Sequence, residues 1–514
     1  MPPYAGSPGA SCNREALLDS RGIEHAKRVM ALAAIGLTLL PFLLVGQLPL
    51  IDLPNHVARL VIREDLRAGG PLSAFYEWQW SLMPNLAIDL LSVPFSGLID
   101  PEFVVTALVV LSVASLYGGA IAIDRTLNGA RWGMSILTGV IMFHGALRYG
   151  FINYVIGLAV AVPLFAAWLR WRGRLGIGGV LAFAAAGSVV MLMHMFAFGL
   201  YALCVAGYEL GLLLRERPLR VLDPGRRLSL AGVAATLLVP ASMALIGPAS
   251  DAAAIILWST PRFKLEAILA PIYFSQPYVE IALLAAIVLL FLTGVWSRTI
   301  DFSNIMVPTI AVLLFALLVM PRTLFGSTFA DYRLLCGAGF FLIGGVRIAP
   351  RSRRVGYIVA GCGSALLLVR VGSVGFEWQA AQPFLQEYGT VFSTLPEGSR
   401  VLVRRPSPPS VAVDRRTALE SIATLPGARS KVFVGHTFTL LAQPLRLQPE
   451  YEDYRHLSPD LEPPLPLASY DYLLSMNGYR PPAGDLGCVK EVSSGMTFVL
   501  YRIDVGCAEY RQLP

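Results

Sequence analysis

Eleven apolar runs constrain this chain more than any other feature. They lie near residues 30–47, 102–123, 132–149, 151–169, 176–194, 196–214, 229–247, 279–297, 304–320, 330–346 and 355–372. A helix that crosses a bilayer needs about 20 apolar residues. Lipid offers no partner to a backbone N–H or C=O, so such runs must close their hydrogen bonds internally, as helices. Composition agrees, with 55% hydrophobic and 15% charged residues among 514, against roughly 25% charged in soluble chains. The expected class is a polytopic α-helical membrane protein with about eleven transmembrane helices. The first run exceeds a signal-peptide core of about 7–15 residues and has no small-residue cleavage site after it, so it reads as a retained anchor.

The net charge of +7 is nearly all arginine, the only lysines being Lys27, Lys264, Lys431 and Lys490. In a soluble chain this balance would suggest nucleic acid. Here the arginines lie between spans, where the positive-inside rule accounts for them. Basic clusters occur at Arg14 to Arg28, Arg170 to Arg174, Arg215 to Arg227 and Arg347 to Arg354. If the N-terminal tail (1–29) is cytoplasmic, eleven alternating spans put every cluster on the cytoplasmic side. That topology requires Pro84–Ile99, which carries Asp89 and Pro94, to lie on the outer membrane surface as an amphipathic helix. The transmembrane body is then 30–372, with outer loops at 48–101 and 248–278. Two helical stretches are expected in the first loop, Pro54–Arg67 and Phe75–Leu98. Arginine-rich, lysine-poor usage fits a GC-rich bacterium, which makes the membrane the inner one and the outside the periplasm.

The tail, 373–514, differs in kind. Its apolar residues come in short runs at 400–405, 431–438, 470–476 and 496–504, bounded by turn signals such as Pro408-Pro409 and Pro481-Pro482. A small extracytoplasmic α/β or mostly-β domain is expected. Cys204, Cys336 and Cys362 fall in apolar runs and read as small core residues. Cys488 and Cys507 can pair if the tail faces an oxidising compartment.

Polar residues gather at the outer ends of the runs: Asp52, Asn55, His56 and Arg59, then His144, Arg148, Tyr149 and Asn153, then His194 and Tyr201. Arg262 and Lys264 lie in the second outer loop, and Arg322, Asp331 and Arg333 between the ninth and tenth runs. Polar groups at bilayer depth cost about 2.5–3.5 kcal/mol each, so they line a cavity or find partners. A pocket at the outer boundary follows, one that binds an anion through arginines. Asp52, His56, Arg59 and Arg63 are spaced to share one helix face. Asp52 before Leu-Pro is also a good N-cap signature, and the two roles are compatible. His144 and His194 can equally be hydrogen-bonded span-end residues, and Arg148, Arg322 and Arg333 can snorkel to lipid headgroups. No Gly-rich phosphate loop, H-E-x-x-H, CxxC or nucleophile elbow is present. No D-x-D occurs in the first outer loop, which weakens the case for a divalent metal, and no cofactor is expected.

Residues 28–372 resemble the GT-C superfamily of integral membrane glycosyltransferases, which includes protein mannosyltransferases and the lipid A aminoarabinose transferase. The resemblance rests on one span followed by a long outer loop with Asp52 near its start and two surface helices. A later basic outer loop with Arg262 and Lys264 matches in position. It implies Asp52 as the catalytic acid and the outer basic residues as ligands of a polyprenyl-phosphate-linked sugar donor. The sequence departs from members with two acidic residues here, since Asn55 and His56 stand beside Asp52.

On this reading Asp52 and His56 are catalytic. Asn55, Arg59, Arg148, His194, Arg262, Lys264, Arg322, Asp331 and Arg333 bind substrate. The expected activity is inverting transfer of a sugar to a lipid, glycan or protein acceptor on the outer face. A transporter or flippase, or a polymerase or ligase, of lipid-linked saccharides is the alternative; a transporter predicts midplane polar residues and paired broken helices.

Overall fold

The computed structural model describes residues 28–504 apart from 130–131, 134–136, 216–223, 246–255, 275–276, 326, 349–352, 406–420, 440–442, 457–466 and 482–486. The membrane body begins with α1 (Arg28–Leu44). It continues through α2 (Leu53–Arg67), α3 (Ala87–Leu91), α4 (Pro101–Asn128), α5 (Thr138–Met142), α6 (Gly145–Arg148), α7 (Ile152–Trp171), α8 (Ile177–Met193) and α9 (Met195–Arg215). Then come α10 (Pro224–Ser242), α11 (Pro261–Leu269), α12 (Pro277–Trp296), α13 (Val307–Val319), α14 (Ala330–Leu342) and α15 (Arg353–Gly389). Among the described residues five helices are long and apolar enough to cross a membrane, within α4, α7, α9, α12 and α15, and four shorter apolar helices accompany them. The chain is an integral membrane protein.

Most expected spans coincide with helices, but the run 132–149 does not form one. It breaks at Phe143 and His144 into α5 and α6. A Cβ on Gly139 would lie 2.3 Å from the Tyr117 hydroxyl, and one on Gly145 1.8 Å from that of Tyr332. These glycines let the segment press between α4 and α14, and His144 restarts the chain as an N-cap, its Nδ1 accepting the Leu147 N–H at 3.1 Å. The tenth run is a 13-residue helix that ends in a 3-10 turn and the strand Val346–Ile348.

The α4–α7 pair shows how backbone accounting is closed inside lipid. Pro163 sits inside α7, has no N–H, and so strips the Ala159 carbonyl of its helical partner. The Ser115 hydroxyl of α4 donates to that carbonyl at 2.5 Å. Gly119 permits the approach, since a Cβ there would fall 2.9 Å from the Pro163 ring.

Above the body lies an outer layer in which the first outer loop and the tail share one core. Only the first expected helix of that loop forms. Phe75–Leu98 does not form one helix: Tyr76–Trp78 is a strand paired antiparallel with Leu445–Leu447 of the tail, followed by the five-residue α3 and a 3-10 turn. Leu90, Val93, Phe95 and Leu98 of this stretch stay exposed. The tail carries α16 (Thr424–Arg429) and a five-stranded mixed sheet. Its order is Val489–Ser494, Phe498–Ile503, Tyr472–Met476, Arg400–Arg404 and Phe433–Val434. The last three strands run parallel to one another and the other pairings are antiparallel. Ala58 and Ile62 of α2, with Phe75 and Tyr76, are buried against Leu402, Phe433, Leu445 and Leu473. Phe75 stacks on Phe433 at 4.8 Å. Cys488 is disulfide-bonded; Cys507, its expected partner, lies outside the described residues. At the opposite end of the bundle, Trp132–Gly133, Val346–Ile348 and Ile300–Phe302 join three helix connections in one small sheet.

Candidate active site

The chain leaving α1 turns at Leu48–Asp52 and enters α2, with Pro in its first turn. The Asp52 and Ile51 N–H groups donate to the carbonyls of Tyr149 and Arg148, each at 3.0 Å. This backbone clasp binds the start of α2 to the end of α6. It requires Gly150, which has φ +74° and whose Cβ would fall 2.7 Å from the Asp52 nitrogen. Asp52 occupies the N-cap position, yet its side chain makes no capping bond. Among the described residues its carboxylate has no hydrogen-bond or ion-pair partner. Burial pushes its pKa up to about 7, against the opposing pull of the Arg333 guanidinium.

His56, one turn along α2, is buried. Its ring hydrogen-bonds the Gly150 backbone and meets Phe438 of the tail edge-on at 5.6 Å. Burial and the Arg59 charge hold its pKa well below the ordinary histidine value, so it is neutral. Its Nδ1 is buried with no hydrogen-bond partner. Asn55 donates to the Ser421 hydroxyl of the tail at 2.8 Å, and its Oδ1 is likewise unpaired.

Arg59 is placed differently. Its Nε and Nη2 meet both carboxylate oxygens of Asp89 at 2.9 and 2.8 Å, and both side chains are fully buried. Nη1 donates to Gln443 of the tail. Arg63 adds bonds to the Asp89 carbonyl and the Ser92 hydroxyl. From below, Asn153 of α7 accepts the Ile88 N–H at 2.8 Å and donates to Asn85. These residues latch α3 to α2, to α7 and to the tail, and Arg59, fully buried with its charge paired to Asp89, is a structural residue rather than a ligand of the donor.

The next side of the site comes from α14 and the α8–α9 turn. Arg333 donates to the Ser327 hydroxyl and the Thr328 carbonyl at 3.0 and 2.6 Å. Its guanidinium lies 3.9 Å from the Phe151 ring centroid, and its Nε is buried without a partner. His194 lies within electrostatic reach of both Arg333 and His56. Its Nδ1 accepts the Phe196 N–H that opens α9. Asp52, His56, His194 and Arg333 therefore form one group.

The remaining basic residues meet around an aromatic shelf. Tyr149 stacks on Phe329 at 5.0 Å and on Phe151 at 5.5 Å, within reach of both Arg148 and Arg322. Arg148 lies over Tyr273. Arg322 sits 3.5 Å from the Phe263 ring centroid and 5.3 Å from that of Phe329; its side chain has no ion pair among the described residues. Lys264 is committed elsewhere. Its ammonium donates to the Leu317 and Met320 carbonyls at the end of α13 and pairs with Asp331 at 3.3 Å. Asp331 also accepts from Ser259. Arg262 is exposed and pairs with Glu266 one turn on.

Four contributors escaped the sequence reading. Gly150 carries the clasp, Tyr154 donates to the Arg333 carbonyl, and Phe438 with Ser421 brings the tail against α2. The first two belong to the run Arg148-Tyr149-Gly150-Phe151-Ile152-Asn153-Tyr154, whose aromatic density at the mouth of a span was the available signal. Nothing local marks the tail residues.

No family model and no curated relative matches the chain. Two solved structures of ArnT from Cupriavidus metallidurans do. The apo form is 13% identical with a TM-score of 0.54, covering 94% of this chain and 99% of that one. The form bound to undecaprenyl phosphate is 14% identical with a TM-score of 0.45, covering 93% and 98%. At such identity the likeness is one of fold, and this chain shares the fold of the apo ArnT structure over nearly its whole length.

Proposed function

We propose that this protein is a membrane glycosyltransferase that moves a sugar from a polyprenyl-phosphate donor to an acceptor hydroxyl or amine on the outer face. The observation that carries the reading is the Asp52 carboxylate. It is uncommitted, poised near neutrality and anchored by backbone at a helix start, beside Arg333 and within one shell of His56 and His194. A general base works best with a pKa near the working pH. The shared fold supports the same class of chemistry.

In the step proposed, Asp52 takes the acceptor proton as the acceptor oxygen or nitrogen bonds to the anomeric carbon. The bond from that carbon to the phosphate oxygen breaks, and its electron pair leaves on the phosphate. Attack opposite the leaving group inverts the anomeric centre. Arg322 is the principal phosphate ligand, with Arg148 across the Tyr149 shelf, because its charge is not spent on an acid. Arg333 is fixed by two hydrogen bonds and holds the site's potential positive at Asp52. Neutral His56 offers its Nδ1 as a second acceptor. Lys264, Asp331 and Arg59 shape the walls rather than touch the donor. The charge of the leaving phosphate is met by arginines, so a chelator should leave turnover unchanged. The N-terminus is cytoplasmic and the tail periplasmic in this reading, and an alkaline phosphatase fused after Pro514 should be active.

The test is transfer by the purified protein from a radiolabelled polyprenyl-phosphate sugar to an envelope lipid extract. Label should move with the wild type and not with Asp52→Asn, with both binding the donor. Donor that crosses the bilayer of a vesicle without any label transfer would favour a flippase instead.

A further inference from the structure

At the end of the bundle away from Asp52, a groove of about 520 Å³ runs between α4 and α7. Its floor is made of small residues, among them Ser115, Gly118, Ala122 and Ala166, and Arg125 and Arg170 stand at its mouth. Both arginines are exposed, and neither makes an ion pair among the described residues. No acid lines the groove. α4 and α7 are two of the helices long and apolar enough to cross the membrane, so the groove opens to lipid and not to water.

The dimensions single out an occupant. From Ser115 to Arg125 is ten residues of helix, about 15 Å at 1.5 Å per residue. One leaflet of a hydrocarbon core about 30 Å thick has that same depth, roughly 15 Å. Ser115 thus lies near mid-membrane and the arginines lie at the headgroups. The groove exists because Gly119 and the Ser115–Ala159 bond hold the two helices together at its base. Snorkelling arginines alone would need no such cavity beneath them, whereas basic pockets between spans bind anionic headgroups.

We infer that this groove is a binding site for an anionic glycerophospholipid of the inner leaflet. One acyl chain lies along Gly118 and Ala122, and the phosphate is shared by Arg125 and Arg170. The site is separate from the Asp52 group and does not depend on the transferase reading. A chain confined to one leaflet suits a glycerophospholipid and not a polyprenyl phosphate, whose tail is several times longer than the groove.

The experiment is native mass spectrometry of the full-length protein in detergent, titrated with dioleoylphosphatidylglycerol or dioleoylphosphatidylcholine. Two arginines near the membrane surface each contribute a headgroup preference, so the wild type should bind one phosphatidylglycerol roughly 30-fold more tightly than phosphatidylcholine. Arg125→Ala with Arg170→Ala should abolish that preference, and the paired lysine substitutions should keep most of it. A second variant tests the groove apart from the charge. A Cβ on Gly118 meets nothing within 4 Å, so Gly118→Leu fills the channel without disturbing packing and should remove the bound lipid with both arginines in place. Equal affinity for the two lipids in the wild type, or unchanged binding by Gly118→Leu, would overturn the assignment. So would one-for-one displacement of phosphatidylglycerol by undecaprenyl phosphate, which would make the groove a polyprenyl site.

Discussion

Two carboxylates of the first outer loop, Asp52 and Asp89, stand in opposite circumstances. Asp89 is fully buried and saturated, gripped at both oxygens by Arg59. Asp52, seven residues before that arginine, has no partner among the described residues and a pKa pushed up to about 7. The same contrast divides the basic residues. Arg59, Arg63 and Lys264 are spent on carbonyls and carboxylates, while Arg322 lies against aromatic rings with its charge unneutralised. Charge in this loop layer serves two ends, and partnering separates them. The paired set holds α2, α3, α7 and the tail together, and the unpaired set keeps its charge available.

Substitutions should split along that line. The largest effect on folding is expected from Asp89→Ala, which strands a buried guanidinium. Loss of one partner from a buried pair costs about 3–5 kcal/mol, so membrane abundance and thermal stability should both drop. Asp89→Asn should recover part of the loss. If Asp89→Ala instead leaves stability intact and removes activity, the latch belongs to the site. Arg322→Ala should act the other way, with stability unchanged and donor turnover down roughly 10²-fold, the typical effect of removing one group that stabilises a developing anion. A purely structural Arg322 would show the reverse pattern in the melting curve.

Much of this was legible in the sequence, for reasons that are local. Hydrophobic run length gave the membrane class and most helices, and a helix start after the first span gave Asp52 its place in α2. The long-range pairings were not legible. Tyr76–Trp78 is a strand because its partner, Leu445–Leu447, lies in the tail, and no propensity in Phe75–Leu98 announces that. Arg59 and Asn55 read as ligands until Asp89, Gln443 and Ser421 are brought to them. The run 132–149 looked continuous because its breaks come from glycines packed against tyrosines of other helices. The Glu280–Arg370 pair, buried between the second half of the body and its last span, left no signal beyond two charges in apolar surroundings.

Smaller effects sharpen the comparison further. The raised Asp52 pKa means that its protonated form suits the fold. The stability this contributes is fully present below the ordinary value of 3.8 and is lost as pH rises through about 7. Asp52→Asn mimics the protonated form, so its melting temperature should match the wild type near pH 4 and exceed it by a few degrees at pH 8. Turnover should run the opposite way, rising with pH to a plateau just above 7. An acid-independent melting difference would mean that Asp52 is not raised. Smallest of all, Arg262→Ala removes an exposed pair with Glu266 and should change stability by less than about 1 kcal/mol, with activity unaltered. A large loss there would move the donor site outward onto α11.

The central claim is that Asp52 is a chemical group and not a helix cap. It is tested most directly by mass spectrometry of envelope lipids and glycans from a deletion strain carrying wild type or Asp52→Asn at equal membrane abundance. The account predicts that one glycan modification vanishes on deletion and returns only with the wild-type protein, the lost mass naming the sugar. Full restoration by Asp52→Asn would contradict it.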